Sequence, residues 1–212
     1  MMNLSQFSRR LVLLLGLVAA PMFLARPAAA YTPEEAQQYV ADNIHQGLDL
    51  LNNKALSTDQ RRSQFEQFLL GLVNVNRIAD FTLGVYRRSA SPADLEAFHA
   101  AFQNYAVALY QSYFSKYAGQ TLKVTGSKAN GPDDFIVTTN LIDPKDRSGQ
   151  PPPEVDFRLR TNTGKPEVID VAYSGIWLSL EEKDQFTSFL GQNGGNVRTL
   201  VAHLSDLTKQ IK

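Results

Sequence analysis

The 212 residues carry 21 Lys and Arg against 21 Asp and Glu and no cysteine, which excludes a disulfide framework, a thiolate metal site and a cysteine nucleophile. Every acidic residue lies beyond position 30, whereas Arg9, Arg10 and Arg26 lie before it. The remaining 182 residues therefore hold 18 basic and 21 acidic groups, without the basic footprint of a general nucleic-acid binder.

Residues 1–30 read as a secretory signal peptide. Arg9 and Arg10 precede the apolar run Leu11 to Ala20, and Ala28-Ala29-Ala30 supplies a cleavage site of small residues. Pro21 interrupts a run already too short to span a bilayer. Cleavage after Ala30 places Tyr31 at the mature N-terminus and the protein in the periplasm, with residues 31–212 as one domain.

Thr32-Pro33-Glu34-Glu35 combines a hydroxyl cap, proline at the first helical position and glutamate two residues later, and predicts a helix with Val40, Ile44, Leu48 and Leu51 on one face. A second helix, capped by Ser57 or Thr58, carries Phe65, Phe68, Leu69 and Leu72. A short third segment, Asn74 to Leu83, stops at Gly84. Ser91-Pro92-Ala93-Asp94 opens the longest helix, whose face runs Leu95, Phe98, Phe102, Tyr105, Leu109 and Tyr113 before Gly119 closes it.

The hydrophobic period then changes from 3.6 to 2. Alternation through Leu122 and Val124, through Phe135, Val137, Thr139 and Leu141, through Val155, Phe157 and Leu159, and through Ile169, Val171 and Tyr173 predicts four strands. Asn162, Gly164 and Pro166 mark the turn between the last two. Ser179-Leu180-Glu181-Glu182 reads as a capping box, and Asn196 caps a final helix through Val197, Leu200, Val201 and Leu204. The fold class is α+β: an antiparallel four-stranded meander packed against helices from both ends of the chain.

The residues offer little chemistry. His45, His99 and His203 stand on separate helices without metal-ligand spacing and read as solvated surface groups. Ser174-Gly175 lacks the surrounding G-x-S-x-G, and Asp133-Asp134 and Asp143 to Asp146 read as turn residues. No catalytic residue, metal ligand or cofactor is assigned. The segment Phe98 to Tyr117 is unusual in holding seven of the chain's aromatics, four of them tyrosine. Tyrosine keeps a polar tip on an apolar body, so this stripe suits either an ordinary core or the wall of an apolar cavity.

Val75-Asn76-Arg77-Ile78-Ala79-Asp80-Phe81-Thr82-Leu83-Gly84-Val85-Tyr86-Arg87 resembles the signature of the MlaC, or toluene-tolerance, family. Phe98-His99-Ala100-Ala101-Phe102 fits that family's long helix, and Val168 to Val171, Gly175, Leu178 to Leu180 and Gln185-Phe186 fit its last strand and the helix after it. Arg87 and Asn74 depart from common family residues. Val75, Ile78, Ala79, Phe81 and Gln192 to Val197 lean toward the hopanoid-associated branch, HpnM.

The resemblance implies a non-enzymatic periplasmic carrier of a membrane lipid, either phospholipid or hopanoid-type. It would move the lipid between inner and outer membrane and work with lipid-transport components of both. Its cavity is expected between the sheet and the Leu95 to Tyr117 helix. Val124, Val137, Phe157, Leu159, Val171 and Tyr173 would face Phe102, Tyr105, Leu109 and Tyr113. Phe81, Leu83, Tyr86 and Trp177 are expected around a mouth formed by the Leu83 to Arg88 bend and the Ser174 to Trp177 loop, with Arg87 and Arg88 near a headgroup. The residues leave two alternatives open: a periplasmic enzyme for a small apolar substrate, marked by a histidine beside a carboxylate in the cavity, and an adaptor with a solid core.

Overall fold

A computed structural model describes residues 31–211, except for 163–164 and the side chains of 113–115. Residues 1–30, expected as a signal peptide, and Gly164 of the expected turn lie outside the described residues, as does the side chain of Tyr113.

The first helix, α1 (Pro33–Asn52), begins as its sequence dictates. The Thr32 hydroxyl accepts from the Glu35 N–H at 3.2 Å, and the Thr32 N–H donates to Glu35 Oε2 at 2.8 Å. Ser57, not Thr58, caps α2 (Thr58–Leu72) through the same reciprocal pair with Gln60. Asn74 caps α3 (Val75–Thr82), and a 3₁₀ turn over Gly84–Arg88 leads to α4 (Pro92–Ser115).

The strands β1 (Thr121–Gly131), β2 (Asp134–Ile142), β3 (Glu154–Arg160) and β4 (Glu167–Tyr173) form the expected antiparallel meander. A fifth, two-residue strand, β5 (Ile176–Trp177), extends it. The segment expected as a loop there is a tight hairpin. Ser174 and Gly175 both have positive φ, 49° and 83°, as a two-residue I′ turn requires. The helices α5 (Leu178–Gln192) and α6 (Val197–Gln210) complete the chain.

Two departures from the simple pattern matter. The β3–β4 register shifts between Arg158 and Leu159, so Val168, not Ile169, stands opposite Leu159 and is buried. The start of α5 also differs from the expected capping box, because the helix begins at Leu178 and Ser179 already lies inside it. Asp170 of β4 serves that end instead, taking the Ser179 N–H at 3.1 Å together with the Ser179 hydroxyl. A carboxylate of the preceding strand β4 thus satisfies a helix N-terminus whose own hydroxyl is engaged.

Two solid cores result. One is helical, built from Ala79, Leu83, Phe98, Phe102, Phe186, Leu190, Leu200 and Leu204 of α3, α4, α5 and α6 and the link after α3. The other lies between α1 and the sheet and contains Ala36, Val40, Phe135, Val137, Leu159 and Val168. The helix that covers the strands is therefore α1, while α4 packs chiefly on α6, α3 and α2. Helix α4 approaches the sheet only at β4, across a cavity lined by Tyr105 and Leu109 on one side and by Val168 and Val171 on the other, so the expected space between sheet and α4 is present there and not over the remaining strands.

Leu159 is fully buried in the α1–sheet core. Leu159→Trp is accordingly expected to overpack it and cost about 1–3 kcal/mol, read as a lower urea midpoint at unchanged slope.

Candidate functional site

Helix α4 serves two environments. In its first half Phe98 and Phe102 meet Phe186 edge-on, with ring centroids 6.3 and 6.2 Å away at 90° and 86°. These are the favoured T-shaped contacts of a close-packed core. Further along, Tyr105 and Leu109 are half-buried and border empty space.

That space is an apolar cavity of about 200 Å³. Its walls are Phe65, Leu69 and Leu70 of α2, Val73, Val75 and Ile78, one face of α4 with Phe102, Tyr105, Ala106, Leu109 and Tyr110, and Val168, Asp170 and Val171 of β4 with the start of α5. A second hollow of about 270 Å³ lies under α1, lined by Tyr39, Val40, Ile44, Leu48, Leu51, Leu122, Leu141 and Phe157. Phe65, Leu69 and Val168 belong to both linings. Helix α2 is thus the partition between them, and not one of its residues is fully buried. Each hollow is below the usual size of a drug-sized ligand site, about 300–1,000 Å³, but the pair reaches into that range.

The first cavity has a polar margin. Tyr105 donates its hydroxyl to Glu182 Oε1 at 3.2 Å, and Gln111 donates to Glu66 Oε2 at 3.1 Å. Glu182 Oε2 and Arg62 Nε are buried without a hydrogen-bond partner. Burial raises the Glu182 pKa above the ordinary glutamate value, with the nearby charge of Glu181 acting in the same direction and the Tyr105 bond opposing it. Asp170 is different, since Val171 N–H at 2.9 Å and two Ser179 donors satisfy it.

Of the residues expected to meet a ligand, Phe102, Tyr105, Leu109 and Val171 line the first cavity and Phe157 lines the second. Val137 and Leu159 belong to the solid α1–sheet core, and Val124 packs against it. Leu83 is fully buried in the helical core, and Tyr86 packs there against Gly191 and Gly195. The bend from Leu83 to Arg88 therefore borders neither hollow: the left-handed Gly84, φ 54°, turns it onto α5. Phe81 and Tyr173 are surface residues, 43% and 48% exposed, and Trp177 lines neither hollow. Arg87 is paired with Asp80 at 2.8 Å.

Missed by the sequence reading were Phe65 and Leu69 as partition residues, and Val73, Ile78, Val168 and Leu178 as lining. The apolar stripe of α2 was visible, but nothing in it distinguishes a face that meets a core from one that meets a void.

The histidines are less solvated than their spacing suggested. His99 Nε2 lies 2.8 Å from Asp80 Oδ1, and His203 stacks on Phe189 at 4.4 Å, while His45 faces Asp49 in solvent. None lines either hollow. Asp143 and Asp146 make turns by accepting the Lys145 and Ser148 N–H groups, at 2.8 and 2.7 Å. Asp134 is instead a strand residue that accepts from Arg158 at 2.6 Å and Arg160 at 3.2 Å. Among the described residues, no cluster of three or more histidines and carboxylates is arranged to hold a metal.

Fold and site together define an α+β protein with a partitioned apolar interior. The MlaC protein family model matches residues 34–206, and the chain belongs to that family. It is 22% identical to the intermembrane phospholipid transport system binding protein MlaC of Haemophilus influenzae, over 99% of this chain and 97% of that one. It shares the fold of a phospholipid-binding protein from Ralstonia solanacearum, solved in complex with a phospholipid. The TM-score is 0.66 at 20% identity, covering 84% of this chain and 97% of that one.

A raised glutamate pKa means that the folded protein holds this proton to higher pH than the unfolded chain does. The contribution of Glu182 is therefore most favourable below the ordinary glutamate pKa of about 4.3 and is lost as pH rises through the raised value. Glu182→Gln removes this dependence. Its melting temperature relative to the parent, both delipidated, is expected to rise between mildly acidic and neutral pH; a difference flat with pH contradicts the buried-carboxylate assignment.

Proposed function

We propose that the protein is a periplasmic carrier that binds a membrane lipid within the partitioned cavity and passes it between inner- and outer-membrane lipid-transport components. The observation that carries this reading is the apolar space on either side of α2, a helix with no fully buried residue. Native interiors are close-packed, so an apolar void of this kind is readily understood as space for an apolar ligand. The Haemophilus protein, a binding protein of phospholipid transport, and the Ralstonia protein, solved with a phospholipid bound, support the same class of ligand. On this reading the ligand is a phospholipid or a hopanoid-type lipid, residues 1–30 are the cleaved export signal, and no reaction is catalysed.

The energetics suit a carrier. At about 0.8 kcal/mol per methylene, a lipid with about thirty methylenes gains roughly 24 kcal/mol on leaving water. That exceeds the ceiling of about 21 kcal/mol for non-covalent affinity. Transfer must therefore run between membrane or partner and cavity without exposing the chains, and the difference between those two apolar environments is small. Side chains that border a void, as on α2, can rearrange at less cost than those locked in a core.

Native mass spectrometry of protein taken from the periplasm is expected to show a co-purifying lipid, whose mass separates phospholipid from hopanoid. Leu109→Trp fills the first cavity and is expected to abolish that added mass while leaving the delipidated melting temperature unchanged or higher. Parent protein that carries no lipid, and a Leu109→Trp variant that melts well below it, together describe a solid core and overturn the carrier.

A further inference from the structure

The polar margin of the first cavity is one-sided in charge. Glu66, Asp170, Glu181 and Glu182 stand in its lining against a single guanidinium, Arg62. Three of these carboxylates are accounted for. Asp170 is satisfied by Ser179 and Val171, Glu66 accepts from Gln111, and Glu181 is exposed to water. Glu182 is not: Tyr105 occupies one oxygen, and the other is buried without a hydrogen-bond partner. None of the ion pairs among the described residues involves Glu182. Buried carboxylate oxygens are normally matched by donors, and the wall of an apolar cavity is a place where a ligand can supply the missing one.

We propose that Glu182 Oε2 accepts a hydrogen bond from a hydroxyl or ammonium group on the lipid, with the Tyr105 hydroxyl holding the carboxylate in place, so that this end of the cavity favours a donor-bearing headgroup over an anionic one. The inference rests on the carrier reading above. An anion placed here meets the Glu182 charge in a desolvated site, where like charges repel far more strongly than in water. A neutral acceptor such as an ester leaves the carboxylate oxygen unmatched, the situation that sites built to bind hydroxyl or amino groups discriminate against most strongly. Arg62 is compatible with a phosphate further along a zwitterionic headgroup, but its one charge does not offset the carboxylates of the wall.

Four ligands with one hydrocarbon chain and different heads isolate the effect: oleyl alcohol, oleylamine, methyl oleate and oleate. Each displaces a fluorescent apolar probe from delipidated mature protein, below its aggregation concentration and at mildly alkaline pH. The alcohol and the amine are expected to displace the probe at concentrations about tenfold or more below those of the ester and the anion, a factor equivalent to one good hydrogen bond. Glu182→Gln replaces an acceptor by a group that also donates, and the preference is expected to collapse. Tyr105→Phe, which leaves the charge but frees the carboxylate, is expected to weaken it. Equal displacement by all four ligands, or a preference that survives Glu182→Gln in a folded variant, overturns the inference and leaves the carrier standing. Failure of all four to displace the probe overturns the carrier itself, and this inference with it.

Discussion

Phe186 stands edge-on to both Phe98 and Phe102, and the rest of the architecture depends on where that aromatic contact ends. It locks the first half of α4 against α5 in a close-packed core, so the second half leaves that core with no freedom to swing inward. Tyr105 and Leu109 consequently border a cavity that the helix cannot close by moving as a whole. The opposite boundary is equally firm. Phe135, Val137, Leu159 and Val168 are locked under α1, and the sheet cannot advance toward α4. Unfilled apolar space forfeits the contacts that a close-packed interior makes, so hollows of about 200 and 270 Å³ cost stability while they are empty. The two solid cores are what make such an interior tolerable.

The partition helix follows from the same constraint. With α1 and α4 each committed to a core of its own, α2 bridges the gap between them and presents Phe65 and Leu69 to empty space on both sides. A helix in that position gains less from burial than its neighbours do. Its sequence is nevertheless secure as a helix, because the Ser57–Gln60 capping box satisfies its exposed N–H groups locally. Local capping and weak tertiary packing are the combination that lets a helix shift as a unit without unfolding.

Two carboxylates at the cavity wall show how tertiary surroundings separate groups that look alike. Asp170 sits at the N-terminus of α5, where backbone and hydroxyl donors converge and the helix dipole favours negative charge. Glu182, one turn into the same helix, has lost water without gaining an equivalent set of donors, and burial drives its pKa upward. One acid stabilises the fold, and the other stores a desolvation penalty at the site.

Much of this protein was legible before any coordinates. The caps at Thr32, Ser91 and Asn196, the change of period from 3.6 to 2, and the four long strands are local events. They are set by dihedral preference, nearby hydrogen bonds and side-chain alternation within a few residues. The aromatic run of α4 and the likeness to the MlaC signature pointed to the right family for the same reason, since both are patterns along one stretch of chain. Which faces meet was decided elsewhere. Whether Leu159 or Leu109 borders the void, whether Val168 or Ile169 faces inward, and whether Ser179 or Asp170 completes α5 depend on contacts between different elements of the fold. Leu159 and Leu109 are identical as residues and as members of apolar stripes. Burial is a property of the space a side chain enters, and only packing the elements in three dimensions, with a register shift between β3 and β4 and with the first half of α4 held in the helical core, determines which of them finds a core and which a cavity.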